Sequence, residues 1–344
     1  MASSKLNFGV VGMGSIANHH IQSILELENC ALTAVCSRNK AKLQAAKTKY
    51  DVNTFTDYRE MMEHPDIDVV CICTPSGFHL EPTLAAAKRG KHVIVEKPLE
   101  ISMDRAHQMI TACDEANVKL ACIFQNRYNA DYQKLYSAVK KGGIGQPVLG
   151  NAYIKWYRDQ DYYDATNWRG TLRGDGGAAL INQSIHTIDL LLHVMGPVKS
   201  VMGRVKTLTH DIEGEDIGTA ILDFENGALG TIEGSTAIYP GYPEKLEIYG
   251  SKGNIILEGG KISRCQLEGS SIDLGTGKIA EQTGSSDPMA INYKLHMKQI
   301  KEIVDNIINN EQPKVNGEEA LKSLEVIQAI YKSSESGRQI VLAK

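Results

Sequence analysis

The sequence lacks the marks of several large classes of protein. Its seven cysteines include no C-x-x-C pair, so we expect buried free thiols in a reducing compartment, with neither a disulfide framework nor a metal site. No stretch approaches the roughly 20 apolar residues of a membrane helix, and Met1 to Lys5 lead directly into a strand without a signal-peptide pattern. A net charge of −4 gives no basic surface for nucleic acid or membrane lipid. We therefore expect a globular protein of the cytoplasm.

The first part of the chain alternates strands with helices. A length of 344 residues is enough for two domains. The hydrophobic pattern predicts strands at residues 6–11, 32–36, 54–55, 68–73, 92–95 and 120–124, separated by helices that include residues 41–49, 57–63, 81–89 and 103–116. Such alternation specifies a doubly wound, mostly parallel α/β sheet. We predict that this domain covers residues 1–123.

The pattern changes in residues 124–344, where strands follow one another. Runs at residues 148–157, 200–209, 217–225, 228–235, 245–249 and 254–258 predict a mostly antiparallel sheet in an α+β domain. Asn226-Gly227 predicts a type I′ hairpin turn between two of these strands. The Gly- and Ser-rich residues 269–288 are typical of a mobile excursion. Helices at residues 293–309 and 318–334 and a strand at 339–342 complete the prediction.

A glycine-rich turn joins the first strand to the first helix. The sequence Gly12-Met13-Gly14-Ser15-Ile16-Ala17 fits the G-x-G-x-x-G/A pattern of dinucleotide-binding sites, with Ser15 and Ile16 at the start of the helix. There the backbone amides of the helix N-terminus bind the pyrophosphate. Glycine turns are common and the pattern alone is weak, but the strand before it and the helix after it favour a cofactor site.

The end of the second strand indicates which dinucleotide is bound. NAD sites usually place a carboxylate there to bind the ribose diol, but this chain has Ser37 and Arg38. A hydroxyl and a guanidinium suit a 2′-phosphate, so the sequence modestly favours NADP over NAD. The alternative is that Arg38 is a solvated arginine at a strand end.

The buried strand at residues 92–95 ends in Glu96-Lys97-Pro98. A cation at the carboxyl end of such a strand is poorly placed for stability, because a buried ammonium needs a partner. It is well placed for chemistry, because ligands of open α/β sheets bind beyond those strand ends. Alternatively, the Lys97 side chain extends to solvent.

One helix interrupts the second sheet. It is predicted at residues 178–195, with Asp175 as its N-cap. Asn182, His186 and Asp189 are spaced i, i+4 and i+7 and therefore share one face. Their spacing supports a functional site and a structural role about equally.

Taken together, these stretches resemble the glucose–fructose oxidoreductase, inositol dehydrogenase and rhizopine catabolism (Gfo/Idh/MocA) family over essentially the whole chain. The resemblance is carried, in this order, by the glycine turn, by Thr74-Pro75 with His79, by Glu96-Lys97-Pro98, and by Gly176-Gly177 followed by His186 and Asp189. It implies a Rossmann domain followed by an open-faced sheet that commonly forms homodimers or homotetramers. Many members have Asp where this chain has Asn182, and a neutral amide cannot stabilise a cation as a carboxylate would.

The resemblance implies that Lys97 and His186 are catalytic, in the reversible oxidation of a secondary hydroxyl of a sugar or polyol. We assign His186 as the base and Lys97 as the donor to the same oxygen, although the two roles can be exchanged. Aromatic and polar side chains are predicted to bind substrate: Asn182, Arg158, Tyr163, Trp168, Arg169 and Arg127, the last also a candidate for an interdomain salt bridge. Residues predicted to bind the cofactor are Gly12, Gly14, Ser15, Ile16, Ser37, Arg38, Thr74, Pro75, His79, Glu96 and Lys97.

Two other functions fit the same resemblance. Some relatives hold NAD tightly and use transient oxidation to cleave a glycosidic bond. A dinucleotide sensor without catalysis is the third interpretation, and it predicts that no activity depends on Lys97 or His186. We rank the sensor last, because both chemical residues are present.

Overall fold

The computed structural model describes residues 5–269 and 292–342. They form two compact units, one of residues 5–125 and 292–321 and the other of residues 126–269 and 322–342. The first break lies two residues beyond the predicted end of the dinucleotide-binding domain at residue 123. The sequence did not predict that residues 292–321 belong to the first unit. The predicted excursion at residues 269–288 lies, apart from Gly269, outside the described residues.

The first unit has the predicted alternation of strands and helices. Its elements are β1 (Leu6–Val11), α1 (Ala17–Glu26), β2 (Cys30–Cys36), α2 (Lys40–Tyr50), β3 (Asn53–Phe55), α3 (Tyr58–Met62), β4 (Val69–Ile72), α4 (Leu80–Lys88), β5 (His92–Val95), α5 (Met103–Glu115), β6 (Leu120–Cys122) and α9 (Lys294–Ile308). All pairs of adjacent strands are parallel, in the order β3-β2-β1-β4-β5-β6. The prediction of a Rossmann-type sheet is confirmed. The strand order reverses between β1 and β4, which is where such sheets bind ligands.

Helix α9 completes the core of this unit. Its residues Ile300, Ile303 and Val304 are buried in the same apolar cluster as Ile21 and Ile24 of α1. Burial of apolar surface contributes about 25 cal/mol per Å², and it stabilises the packing of α9 against α1 in the first unit. Residues far apart in the sequence thereby enclose one face of the first sheet.

The second unit contains a large mixed sheet covered by helices. Its elements are α6 (Ala130–Lys140), β7 (Pro147–Lys155), α7 (Gln160–Asp164), a π-helix (Ala179–Ser184), α8 (Ile185–Met195), β8 (Val198–Lys206), β9 (Ile217–Phe224), β10 (Leu229–Ser235), β11 (Lys245–Gly250), β12 (Gly253–Glu258), β13 (Lys261–Leu267) and β14 (Ile340–Val341). The last helix, α10 (Gly317–Ser336), begins in the first unit and continues into the second. Among the helices that the structure describes, none is both long enough and apolar enough to cross a bilayer.

The sheet of the second unit has the order β13-β12-β11-β7-β10-β9-β8-β14. Only β7 and β10 pair in parallel, so the prediction of a large, mostly antiparallel sheet is confirmed. One face packs against the π-helix and α8, because small residues there allow a close approach. A β-carbon on Gly218, for example, would lie 2.6 Å from a methyl carbon of Leu180.

Two local predictions are wrong. The hairpin at Asn226-Gly227 exists, but only Gly227 has a positive φ, of 85°, whereas a type I′ turn needs a positive φ at both positions. The Asn226 side chain instead accepts a hydrogen bond from the amide of Ala228 at 3.0 Å. The amide of Phe224 donates to the carbonyl oxygen of Ala228 at 2.9 Å, so the loop is longer than two residues. Asp175 does not cap the helix that follows, which begins at Ala179.

Candidate active-site residues

The glycine turn after β1 has the geometry of a phosphate-binding loop. Gly12 has a φ of 92°, and a β-carbon there would lie 2.6 Å from the carbonyl oxygen of Cys73, at the end of β4. A β-carbon on Gly14 would meet no atom within 4 Å of the described chain. No described side chain caps α1, which begins beside the turn. The open space at Gly14 and the uncapped helix start fit the pyrophosphate of a dinucleotide.

The end of β2 is held by the neighbouring strand. The amide of Ser37 donates to the carbonyl oxygen of Phe55 in β3 at 3.0 Å, and the Ser37 hydroxyl oxygen accepts from the amide of Asn39 at 3.2 Å. Arg38 is exposed at this tip. Lys42, in the first turn of α2, donates through Nζ to the carbonyl oxygen of Met13 in the glycine turn at 2.8 Å. Two cations therefore lie near the end of β2.

Lys97 lies two residues after the end of β5 and is half-buried. The preceding residue, Glu96, is buried, and its Oε2 accepts from the Lys97 amide at 3.2 Å. Oε1 of Glu96 lies 2.8 Å from Nε2 of His20 in α1 and 3.4 Å from Nε2 of His296 in α9. Burial alone would raise the pKa of Glu96, but hydrogen bonds from His20 and His296 hold the pKa of this carboxyl well below its ordinary value. Two buried histidines thus fix the residue that precedes Lys97.

His79 supports the other side of the same segment. It is buried, and its Nδ1 lies 3.0 Å from the carbonyl oxygen of Pro98 and 3.2 Å from that of Leu99. Its Nε2 lies 3.0 Å from the carbonyl oxygen of Thr74. Burial lowers the pKa of His79, against the opposing effect of its bonds to the carbonyl oxygens of Thr74 and Leu99. His79 therefore links the loop after β4, which includes the half-buried Pro75, to the loop after β5.

In the second unit, Asn182 lies in the π-helix and His186 in the first turn of α8. Asn182 is buried, and its Nδ2 donates to Oδ1 of Asp175. Asp175 also accepts, through Oδ2, from the amide of Gly170 at 3.0 Å. His186 is half-buried. Asp175, predicted as a helix cap, instead orients the side chain of Asn182.

Asp189, on the following turn of α8, forms a buried ion pair. Nε and Nη2 of Arg127 donate to its two carboxylate oxygens at 2.7 and 2.6 Å. Arg127 is 5% exposed and Asp189 1%. Both residues belong to the second unit, so this salt bridge is not the interdomain one considered from the sequence. A substrate-binding role of Arg127 stays a prediction.

Arg158 and Arg169 lie in a cluster of aromatic and amide side chains. The guanidinium of Arg169 lies 4.2 Å from the ring centre of Tyr162 and 5.7 Å from that of Trp168, and the guanidinium of Arg158 lies 5.4 Å from that of Tyr162. Nη2 of Arg158 donates to Oε1 of Gln183 at 3.0 Å, and Nε2 of Gln183 donates to the hydroxyl of Tyr162 at 2.8 Å. Burial lowers the pKa of Arg158. These contacts extend to the π-helix, because Gln183 follows Asn182.

Tyr163 is buried beside this cluster. Its hydroxyl lies 2.7 Å from Oγ1 of Thr236, and burial raises the pKa of the phenol. The Tyr163 side chain therefore packs inside the second unit. Its predicted contact with substrate stays untested.

The structure groups the predicted residues into two sets. The cofactor candidates and Lys97 lie in the first unit, at the carboxyl ends of β1, β2, β4 and β5, and the substrate candidates and His186 lie in the second unit. Sequence reasoning missed the supporting residues His20, His296 and Gln183, and it assigned Asp175 as a helix cap. A signal for Gln183 existed, because it follows Asn182 directly in the helix. None existed for His296, whose partner is set by the fold of α9.

Comparisons with known proteins identify the family. Residues 6–124 match the model of an oxidoreductase family with an NAD-binding Rossmann fold, and residues 132–256 match the Gfo/Idh/MocA C-terminal domain. The chain is 29% identical to the myo-inositol 2-dehydrogenase of Thermotoga maritima over 98% of each protein. It is 29% identical to the D-glucoside 3-dehydrogenase of Escherichia coli over 69% of this chain and 72% of that protein.

A solved structure agrees over the full length. The WlbA dehydrogenase of Bordetella pertussis, in complex with NADH and UDP-GlcNAcA, superposes with a TM-score of 0.88 and 31% sequence identity, over 99% of each chain. Both domains therefore agree with the resemblance found in the sequence. The chain belongs to the Gfo/Idh/MocA family of oxidoreductases.

Proposed function

We propose that this protein oxidises a secondary hydroxyl of a sugar, sugar derivative or cyclitol, or reduces the corresponding ketone, with a nicotinamide dinucleotide. The observation that carries the proposal is the position of Lys97 at the end of β5, on the same sheet edge as the glycine turn after β1. Ligands of such sheets bind at this edge, next to the point where the strand order reverses. The inositol and glucoside dehydrogenases among the relatives support this substrate class.

In this proposal the chain's own residues bind the cofactor and handle the hydroxyl proton. The turn from Gly12 to Ile16 holds the pyrophosphate, and Thr74, Pro75 and Glu96 adjoin the nicotinamide half. A dinucleotide held there would supply the acceptor for the hydride that leaves the alcohol carbon. His186 takes the hydroxyl proton, and Lys97 donates a hydrogen bond to the same oxygen, which stabilises negative charge as it develops. The product is a ketone.

Alanine at either position tests the assignment. Loss of a proton acceptor or of a charge-stabilising donor costs about 10²- to 10⁴-fold in turnover. We expect losses of that size in Lys97→Ala and His186→Ala, with the dissociation constant of the dinucleotide changed much less. The control variants are Lys88→Ala and His107→Ala, on exposed positions of α4 and α5. Normal turnover of either active-site variant on a panel of sugars, cyclitols and glycosides would refute the corresponding role.

We also propose that Ser37 and Arg38 favour NADP. The exposed guanidinium of Arg38 and the Ser37 hydroxyl suit a 2′-phosphate, and Lys42 adds a second cation near the same strand end. The NADH in the WlbA structure makes NAD the alternative outcome. The ratio of kcat/KM for NADP to that for NAD should fall at least about tenfold in Arg38→Asp. An unchanged ratio excludes Arg38 as the discriminating residue.

A second copy of the chain is proposed to cover the open face of the large sheet. Met202 of β8 and Ile221 of β9 are directly opposed on that face and are 52% and 58% exposed, and Leu229 of β10 is 50% exposed. Apolar residues grouped on one exposed face are typical of an interface. Light scattering should give a dimer or tetramer for the wild type and a smaller species for Met202→Glu. A wild-type monomer contradicts the proposal.

A further inference from the structure

One residue binds three successive backbone amides at the start of the π-helix. Oε2 of Glu215 accepts from the amide of Ala178 at 3.0 Å, and Oε1 accepts from the amide of Leu180 at 2.7 Å. The amide between them, of Ala179, donates to the backbone carbonyl oxygen of Glu215 at 2.9 Å. The first amides of a helix have no acceptor within the helix. Glu215, in the loop before β9, supplies all three acceptors from outside.

The surroundings of Glu215 are fitted to this contact. The Tyr331 hydroxyl of α10 donates to Oε1 at 2.9 Å. Gly177, just before the helix, has a φ of 146°, and a β-carbon there would lie 2.8 Å from Oε2 of Glu215. A β-carbon on Gly214 would lie 2.6 Å from the carbonyl carbon of Gly177. The two glycines therefore leave the space in which the carboxylate reaches the helix start.

Glu215 is 5% exposed, and its carboxylate is held by neutral donors, two amides and a phenol. Burial raises the pKa of Glu215 to about 7, against the opposing effect of these hydrogen bonds. The other titratable groups that face it are Tyr331 from α10, Tyr163 from α7 and Asp175 from the loop before the helix. Burial raises the pKa of both phenols, so they stay neutral near pH 7.

We propose that Glu215 and Tyr331 are positioning residues for Asn182 and His186, because the ionised carboxylate fixes the first turn of the helix that carries both. This inference rests on the proposed role of His186. The amide of Asn182 donates to the carbonyl oxygen of Ala178 at 3.1 Å, so Asn182 is tied to the turn that Glu215 holds. His186 follows one turn later, in α8.

Protonation of Glu215 weakens this arrangement for a simple geometric reason. Each carboxylate oxygen already faces an amide N–H. Protonation removes the negative charge and takes one lone pair, so the carboxyl group accepts the bonds from the buried amides more weakly. The helix start is therefore fully bonded at alkaline pH and loosens as the pH falls through the pKa of Glu215.

The test combines two variants with two measurements. Glu215→Gln keeps the shape but turns one oxygen into an N–H donor, so peptides covering residues 178–186 should exchange amide hydrogen at least about tenfold faster. Turnover should fall about ten- to a hundredfold, with the KM for dinucleotide unchanged. Tyr331→Phe removes a donor that stabilises the charged form, so the acid limb of log kcat against pH should move to higher pH, with near-normal turnover restored at alkaline pH.

Matched controls separate these effects from general damage. Glu213→Gln, two residues earlier, changes an exposed carboxylate that accepts from the Leu172 amide at 2.8 Å. Tyr249→Phe removes another phenol that donates to a glutamate, Glu247, at 3.2 Å. Neither control should change exchange in residues 178–186 or move the pH profile.

The outcomes distinguish this inference from the proposed function. Unchanged exchange in Glu215→Gln overturns the positioning role, whatever the activity is. If Glu215→Gln shows faster exchange but normal turnover, while His186→Ala is inactive, the link between Glu215 and catalysis is overturned. Normal turnover of His186→Ala overturns the proposed role of His186, and the exchange measurement then still decides whether Glu215 holds the helix. If Glu215→Gln does not fold, the pH shift of Tyr331→Phe decides, and its absence overturns the inference.

Discussion

Replacing Arg127 with methionine should destabilise the second unit by about 3–5 kcal/mol, the usual cost of removing one partner of a buried ion pair. Arg127 and Asp189 are 5% and 1% exposed and share two hydrogen bonds of 2.7 and 2.6 Å. Methionine fills the space of the arginine stem but leaves the Asp189 carboxylate buried without its bidentate donor. The loss is therefore chiefly the cost of a buried carboxylate that has lost the two hydrogen bonds from its guanidinium partner.

Urea unfolding followed by tryptophan fluorescence measures this directly. The chain has two tryptophans, Trp156 and Trp168, and both lie in the second unit, so the signal reports on that unit. The double variant Arg127→Met with Asp189→Leu removes both charges. It should be more stable than Arg127→Met alone, because no buried carboxylate remains.

The same variant decides between the two interpretations of Arg127. If Arg127 binds substrate, Arg127→Met raises the KM for substrate while the urea midpoint stays near that of the wild type. If its role is the ion pair, the midpoint falls and the KM per folded molecule is nearly unchanged. A loss of stability below about 1 kcal/mol, the range of exposed pairs, contradicts the reasoning from burial.

Other predictions follow from the first unit. Gly12→Ala should prevent folding or abolish dinucleotide binding, because its β-carbon would lie 2.6 Å from the Cys73 carbonyl oxygen. Gly14→Ala, whose β-carbon would meet no described atom within 4 Å, should fold normally and lose only dinucleotide affinity, as measured by calorimetry. Equal behaviour of the two variants contradicts the assignment of this turn as the pyrophosphate site. The pKa of Glu96 is lower in the folded chain than in the unfolded one. The ionised Glu96 carboxylate therefore stabilises the folded state above the unfolded pKa, and this contribution is lost as the pH falls through the folded pKa. Glu96→Gln should therefore lower the thermal midpoint at neutral pH and reduce its decline in acid; an unchanged midpoint would show that the bond to His20 contributes little.

The sequence was sufficient to predict a structural element where the physical signal lies within the element itself. A glycine at position 12 between a strand and a helix indicates a tight turn, and the structure gives Gly12 a φ of 92°. The β-branched run at residues 92–95 indicates a strand buried on both faces, and β5 has those bounds. Because parallel strands end at the same edge of a sheet, these local signals also placed Lys97 on the same sheet edge as the glycine turn.

Other local signals were present but were not used. Helix α6 was missed, although Asn129 caps it through hydrogen bonds from the amides of Asp131 and Tyr132, and Tyr132 and Leu135 begin its buried face. Strand β13 was missed because only Ile262 in it is buried, so no apolar run marks it. Asp175 was assigned as a helix cap because Asp often occupies that position, but the helix begins later and a more distant carboxylate binds its amides.

The partners of the buried charged residues could not be predicted for one physical reason. Buried charges are stabilised by partners far away in the sequence. Glu96 binds His20 across 76 residues, Arg127 binds Asp189 across 62, and Tyr331 binds Glu215 across 116. Hydrophobic periodicity can show that a carboxylate lies in a buried stretch, but only the strand order and helix packing decide what faces it. A charged residue inside an apolar stretch is therefore a sequence signal that a partner exists, because an isolated charge there would be too costly. In this chain the signal marks Glu96, which follows the apolar run of β5, but not Glu215, whose neighbours in the sequence are mostly polar. The supports of both proposed catalytic groups are therefore the part of the site that depends on the complete fold.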